Sequence, residues 1–238
     1  MKHIAIVLAA GRGKRMNSTV AKQYLLLQDK PVLYYALKQF EDSFIDDIIL
    51  VTGAEDITFC QEEIVDKYGF TKVRRIVAGG KERYHSVYQG LLAIEQPEEA
   101  CIYIHDGARP FISDDILRRA GESVRECGSG VVGMPVKDTI KIADEQGFAV
   151  STPNRSLVWQ VQTPQCFLYS VIMPAYQKLI KQEDELLAQG IAITDDAMVV
   201  EILTGNQVRL VEGSYENIKI TTPEDLVVAE GFLKKMNY

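Results

Sequence analysis

The amino-acid sequence predicts an α/β fold in three layers, with a mostly parallel β-sheet, helices on both faces and a protruding β-hairpin arm. Three observations carry this. Short apolar runs of strand length alternate with longer amphipathic segments. Polar or glycine-rich stretches follow three of those runs, at 10–15, 79–82 and 106–109. The alternation breaks at about 137–157, where short strand-like stretches flank the turn residues Asp144 to Gly147.

The elements follow in order. Residues 3–9 read as a buried strand, and 31–40 as a helix with Pro31 in its first turn. Residues 47–51 are a second strand, and 56–68 a helix that Gly69 stops. Residues 72–77 and 100–105 are strands on either side of a helix at 83–94. The helix at 113–127 has Ser113 as its cap and Asp114 and Asp115 in its first turn, where the helix dipole favours negative charge. Strands are expected at 131–136, 139–142 and 148–151, the last two forming the arm. Such an arm either pairs two subunits or is a solvent hairpin; its pattern fits both. Beyond it come a strand at 157–161, helices at 173–189 and 197–203, strands at 207–211 and 217–221, and a closing helix at 224–235. There is no repeat or linker, and residues 1–238 are expected to form a single domain.

Composition narrows the function classes. A net charge of −7 argues against a general nucleic-acid surface, which would be basic. A local basic pocket for a small anion remains compatible with it. Cys60, Cys101, Cys127 and Cys166 form no Cys-x-x-Cys pair, so neither a zinc site nor a redox motif is suggested. The apolar run at 4–10 is too short to span a bilayer, and no cleavage pattern follows it. A cytoplasmic protein without membrane or nucleic-acid partners is expected.

The most specific stretch runs from Leu8 to Met16, where a strand enters a glycine turn bearing Arg12, Lys14 and Arg15. Gly11 and Gly13 let the backbone come close to a ligand and turn its N–H groups toward it. Three cations suit a triphosphate. The dinucleotide pattern Gly-x-Gly-x-x-Gly fails at Met16, and the Walker pattern fails at Leu8 and Arg15. In a parallel sheet the polar stretches at strand ends converge on one crevice beyond the carboxyl edge.

This stretch resembles the opening of the sugar-phosphate nucleotidyltransferases. Ala21-Lys22-Gln23-Tyr24 resembles the Pro-Lys-Gln-Tyr/Phe element of the cytidylyltransferases among them, with Ala21 in place of the proline. Gly79 to Arg83 with Ser86, His105 to Pro110, Asp138 to Lys141, Asn154-Arg155, Gln162 to Phe167, Thr194 to Ala197 and Glu216 to Thr221 continue the likeness in order. Nearly the whole chain resembles the 2-C-methyl-D-erythritol 4-phosphate cytidylyltransferase family. Ala9-Ala10-Gly11, Gly107-Ala108 and Trp159 set it apart from the related ribitol 5-phosphate cytidylyltransferases.

The resemblance implies a Rossmann-like nucleotidyltransferase fold and transfer of CMP from CTP to a polyol phosphate with release of pyrophosphate. It implies that Arg15 and Lys22 neutralise charge on the reacting phosphates. Ala9, Ala10, Gly11, Gly13, Gly80, Lys81, Ser86, Asp106 and Gly107 would bind CTP. Arg109, Thr139, Arg155, Thr194 and Lys219 would hold the acceptor, with Arg155 and Lys219 also counted as catalytic. Thr139 and Arg155 would reach the site from the arm of a second subunit, making the enzyme a homodimer. Mg²⁺ is expected as the metal, with Asp106 its partner or a partner of the ribose, or else a turn-forming aspartate, and with Glu216 either a second acidic contributor or an ordinary exposed glutamate. Arg109 is alternatively a structural ion-pair partner, and Thr194-Asp195-Asp196 is either a helix cap or a substrate contact. His105, at the end of an apolar strand, reads as a core histidine. Rival functions are a nucleotide-sensing module without catalysis and a nicotinamide-dependent oxidoreductase, the latter lacking the third glycine.

Overall fold

The computed structural model describes residues 1–11, 20–95 and 99–235. β1 (Lys2–Ala9) leads to a 3-10 turn at Lys22–Tyr24, a small hairpin of β2 (Leu26–Leu27) and β3 (Lys30–Pro31), and α1 (Val32–Glu41). β4 (Asp47–Thr52) is followed by α2 (Ile57–Phe59), which widens into a π-helical stretch, Cys60–Asp66. Next come β5 (Val73–Ala78), α3 (Arg83–Leu92), β6 (Ala100–Asp106), α4 (Asp114–Cys127) and β7 (Ser129–Pro135). The arm holds β8 (Ile142–Ala143) and β9 (Ala149–Ser151). β10 (Trp159–Leu168), α5 (Tyr169–Ala188), α6 (Asp196–Thr204), β11 (Leu210–Glu212) and α7 (Pro223–Lys235) complete the order.

The main sheet runs β11-β7-β10-β6-β1-β4-β5. β10 is antiparallel to both neighbours, and every other pairing is parallel. Alternation of side chains across each strand builds the layers. Ala5, Val7, Ile48, Leu50, Cys101 and Tyr103 face one core, shared with α1, α4 and α7. Ile4, Ile6, Ile49, Val51, Ile102 and Ile104 face the other, shared with α3, α5 and α6. The fold class is therefore the expected three-layer α/β with a mostly parallel sheet.

Local expectations need correction in five places. Pro31 sits one residue ahead of its helix, paired with Leu26 in the β2–β3 hairpin, where its fixed φ suits extended chain. Residues 139–141 are not strand, because the arm ladder pairs only Ile142–Ala143 with Ala149–Ser151. The strand expected at 157–161 is β10, which continues to Leu168 and wedges between β6 and β7. Its polar residues Gln162, Thr163 and Gln165 are buried but satisfied by hydrogen bonds, a solution that an apolar pattern does not reveal. α5 begins at Tyr169, directly after β10. Residues 217–221 form no strand; this chain is fixed by the Ile220 N–H donating to the Ala108 carbonyl at 2.9 Å and by buried Asn217.

Candidate active site

Because β1, β4, β5 and β6 are parallel, their carboxyl ends share one edge, and a cavity of about 230 Å³ opens there. Its wall includes Ala10, Gly11, Lys22, Gly80, Lys81, Ser86, Asp106 and Lys219 from the expected set. It also includes Leu8, Gln23, Glu82, Arg83 and Ala108. Gly13 and Arg15 lie outside the described residues.

Two anchors place the Lys22 turn. The buried Gln23 amide donates from Nε2 to the Ala9 carbonyl at 2.5 Å, tying the turn to the end of β1. The Tyr24 hydroxyl lies 2.7 Å from Thr52 Oγ1, tying it to the end of β4. The opposite wall is the Gly79–Gly80 turn entering α3. A Cβ on Gly79 would stand 2.6 Å from both Ala10 Cβ and Ser86 Oγ, so only glycine lets the two walls meet this closely. The Gly80 N–H donates to Ser86 Oγ at 3.1 Å.

Asp106 ends β6 and is nearly buried. Lys219 Nζ is 2.7 Å from Oδ2, Arg83 Nε 3.4 Å from Oδ1, and Arg109 Nε 4.0 Å from Oδ2. Burial alone would raise the pKa of this carboxyl. Arg83, Lys219 and Arg109 outweigh that and hold it well below the usual carboxylate range. Its own N–H donates to Thr163 Oγ1 at 3.1 Å. The Thr163 hydroxyl faces His105 Nδ1 at 3.1 Å, and His105 Nε2 faces the Arg109 carbonyl at 3.0 Å. A carbonyl only accepts, so the ring proton belongs on Nε2 and the threonine donates to Nδ1. Burial lowers the His105 pKa to about 4, so the ring is neutral and structural, as the sequence suggests.

The remaining expected residues lie outside the cavity wall. The Arg109 guanidinium donates from Nη1 to the Asn217 carbonyl at 2.7 Å, while its buried Nε has no hydrogen-bond partner. Ala9 ends β1, and Gly107 donates its N–H to the Leu8 carbonyl at 2.8 Å, packed too close to Leu33 for a side chain. Thr139 and Arg155 are exposed on the arm, where Arg155 Nη1 donates to the Lys137 carbonyl at 2.9 Å. Thr194 is exposed. Glu216 pairs with Lys235 at 3.1 Å. In the acidic pair that follows Thr194, Asp195 caps α6 by accepting from the Met198 N–H at 2.9 Å. Asp196 is neither cap nor exposed contact: it is fully buried against Arg83 and Tyr176. Arg83 and Asp196 stand inside motifs visible in the sequence, but their pairing spans 113 positions and has no local signal.

A cavity lined by lysines at the carboxyl edge of a parallel sheet, with Gly11 and Gly80 in its wall, is suited to a phosphorylated nucleotide, and it defines the class as an α/β nucleotide-binding protein. The model of the family described as IspD, 2-C-methyl-D-erythritol 4-phosphate cytidylyltransferase, matches residues 3–235, and the chain belongs to that family. The 2-C-methyl-D-erythritol 4-phosphate cytidylyltransferase of Lachnoclostridium phytofermentans is 50% identical over 234 residues, covering 98% of this chain and 97% of its own. The crystal structure of 4-diphosphocytidyl-2C-methyl-D-erythritol synthase from Anaerococcus prevotii matches with a TM-score of 0.83 at 33% identity, over 98% of this chain and 96% of its own. The Francisella tularensis 2-C-methyl-D-erythritol 4-phosphate cytidylyltransferase structure matches with a TM-score of 0.78 at 26% identity, over 97% of this chain and 99% of its own.

Proposed function

We propose that this chain transfers CMP from CTP to 2-C-methyl-D-erythritol 4-phosphate, giving 4-diphosphocytidyl-2-C-methyl-D-erythritol and pyrophosphate in the non-mevalonate route to isoprenoid precursors. The observation that carries this is the cavity whose wall brings Lys22, Lys81 and Lys219 together with the ionised Asp106, in a chain whose relatives bear that name over their full length. An acceptor phosphate oxygen attacks the α-phosphorus of CTP, and the bond to pyrophosphate breaks. Charge builds on the α-phosphate oxygens and on the leaving group, so positioning and neutralisation by Lys22 and Arg15 are the main catalytic devices. The Gly80–Ser86 wall receives the base. Lys219 and Arg109 face the acceptor phosphate, joined by Thr194 and by Thr139 and Arg155 from a second copy of the chain.

Among the described residues, no group of three or more His, Cys, Asp or Glu side chains could hold a metal by itself. Lys219 pairs with Asp106 Oδ2 at 2.7 Å and Arg83 stands 3.4 Å from Oδ1, so Oδ1 is the oxygen that would meet a magnesium ion taking its other oxygens from phosphates and water. Bound there, the ion would neutralise triphosphate charge. Glu216, held by Lys235 outside the cavity wall, adds little to such a site.

The arm exposes Phe148, Val150 and Leu157 at 71%, 61% and 78%, which supports its use in a homodimer. Among the described residues no helix is long and apolar enough to cross a membrane, and the four cysteines are unpaired, as in a reducing cytoplasm. Pyrophosphate release with CTP tests the reading directly. Turnover is expected with methylerythritol phosphate; turnover with ribitol 5-phosphate alone would reassign the acceptor, and CTP binding without turnover on either would leave a nucleotide sensor.

A further inference from the structure

Arg83, in the cavity wall, is paired with the fully buried Asp196, and the mechanism above does not use this pair. Arg83 Nη1 and Nη2 donate to the two Asp196 oxygens at 2.8 Å each. The Tyr176 hydroxyl donates to Asp196 Oδ1 at 2.5 Å. The α6 start that carries Asp196 is itself pinned: the Ala197 N–H donates to Gln165 Oε1 at 2.8 Å, and Gln165 Nε2 donates to Asp195 at 3.0 Å. With both Nη atoms committed, Arg83 turns only its Nε edge to Asp106, at 3.4 Å.

We infer that Asp196 is a positioning residue that acts through Arg83 on Asp106. A guanidinium has a fixed fork, so two bonds to Asp196 set its plane as well as its place. Asp196 also balances the charge of Arg83. Without that balance the guanidinium would be drawn onto Asp106 and would close the carboxylate to whatever the substrate complex brings to it. Asp196 thus keeps Arg83 from closing Asp106 Oδ1, while Lys219 holds Oδ2 at 2.7 Å, and Tyr176 keeps Asp196 in place. The inference rests on the reading of Asp106 as part of the nucleotide site.

The test measures kcat and KM for CTP, per folded molecule, in the full-length enzyme, with melting temperatures recorded alongside. Asp196→Asn keeps the shape and removes the charge. Arg83→Lys keeps the charge and removes the fork. Each is expected to lower kcat roughly 10–100-fold, the usual scale for groups that orient a site from behind it. The double variant should be no worse than the poorer single one, because the two act in series. Parental kcat in Asp196→Asn with only a lower melting temperature would reduce the pair to a structural brace and overturn the inference. Losses that multiply in the double variant would overturn it as well. If Asp196→Asn does not fold, Arg83→Lys decides on the same terms. Asp106→Asn separates the two levels: parental kcat there removes the underlying reading, whereas a large loss there beside an unaffected Asp196→Asn removes only the inference.

Discussion

Lys22 stands on a three-residue turn whose placement depends on its neighbours, with Gln23 bonded to β1 and Tyr24 to β4. Its charge is therefore delivered to a defined point on the cavity wall. Lys22→Ala is expected to lower kcat by about two orders of magnitude, the scale of losing a group that stabilises transition-state charge. Steady-state pyrophosphate release measures this, and a near-parental rate would take Lys22 out of the mechanism. His105 makes a different prediction, on stability. Its pKa falls from 6.5 to about 4 on burial. Below pH 6.5 the unfolded chain takes up a proton on this ring that the folded chain refuses. Stability is then lost as pH falls from about 6.5 toward 4, by up to roughly 3 kcal/mol at about 1.4 kcal/mol per pKa unit. Urea midpoints at pH 7 and pH 4.5 should differ less in His105→Gln than in the parent. At this scale the sequence displayed the residue types but not their partners. Lys22, Asp106 and Lys219 belong to contiguous motifs and could be named, whereas Thr163, Asn217 and Asp196 act through bonds to residues 54–113 positions away.

Among the elements, α4 shows how local chemistry sets boundaries. Ser113 Oγ accepts from the Ile116 N–H, and Gly128 follows the helix at φ +82° in the left-handed region. Ser113→Ala should cost about 1 kcal/mol of stability, read from denaturant midpoints. The central strands and the helices α1, α3, α4 and α7 were legible because their apolar periods are strong and their ends carry proline, glycine or capping residues. β10 was legible only in its first residues. Its middle, Gln162 to Gln165, carries polar side chains whose burial is sustained by hydrogen bonds, and no hydrophobic period announces it. The arm shows the converse case. The strands expected at 139–142 and 148–151 shrink to a short ladder, because no sheet lies beside the arm.

For the whole molecule, the topology gathers segments from 10–11, 80–86, 106–108 and 219 into one cavity, while leaving Thr139 and Arg155 out on the arm. A second copy of the chain that brings its arm to this cavity would supply both. Deleting 137–157 is expected to give inactive monomers by size-exclusion chromatography and pyrophosphate release. A deletion variant that remains dimeric would remove the arm from assembly. The central claim is that this cavity is where the nucleotide sits, and a crystal structure with CTP and magnesium bound tests it most directly. The base should lie against Gly80 to Ser86 and the triphosphate beside Gly11 and Lys22. A nucleotide bound away from the carboxyl edge of the sheet, with Lys22 and Asp106 untouched, would contradict the account.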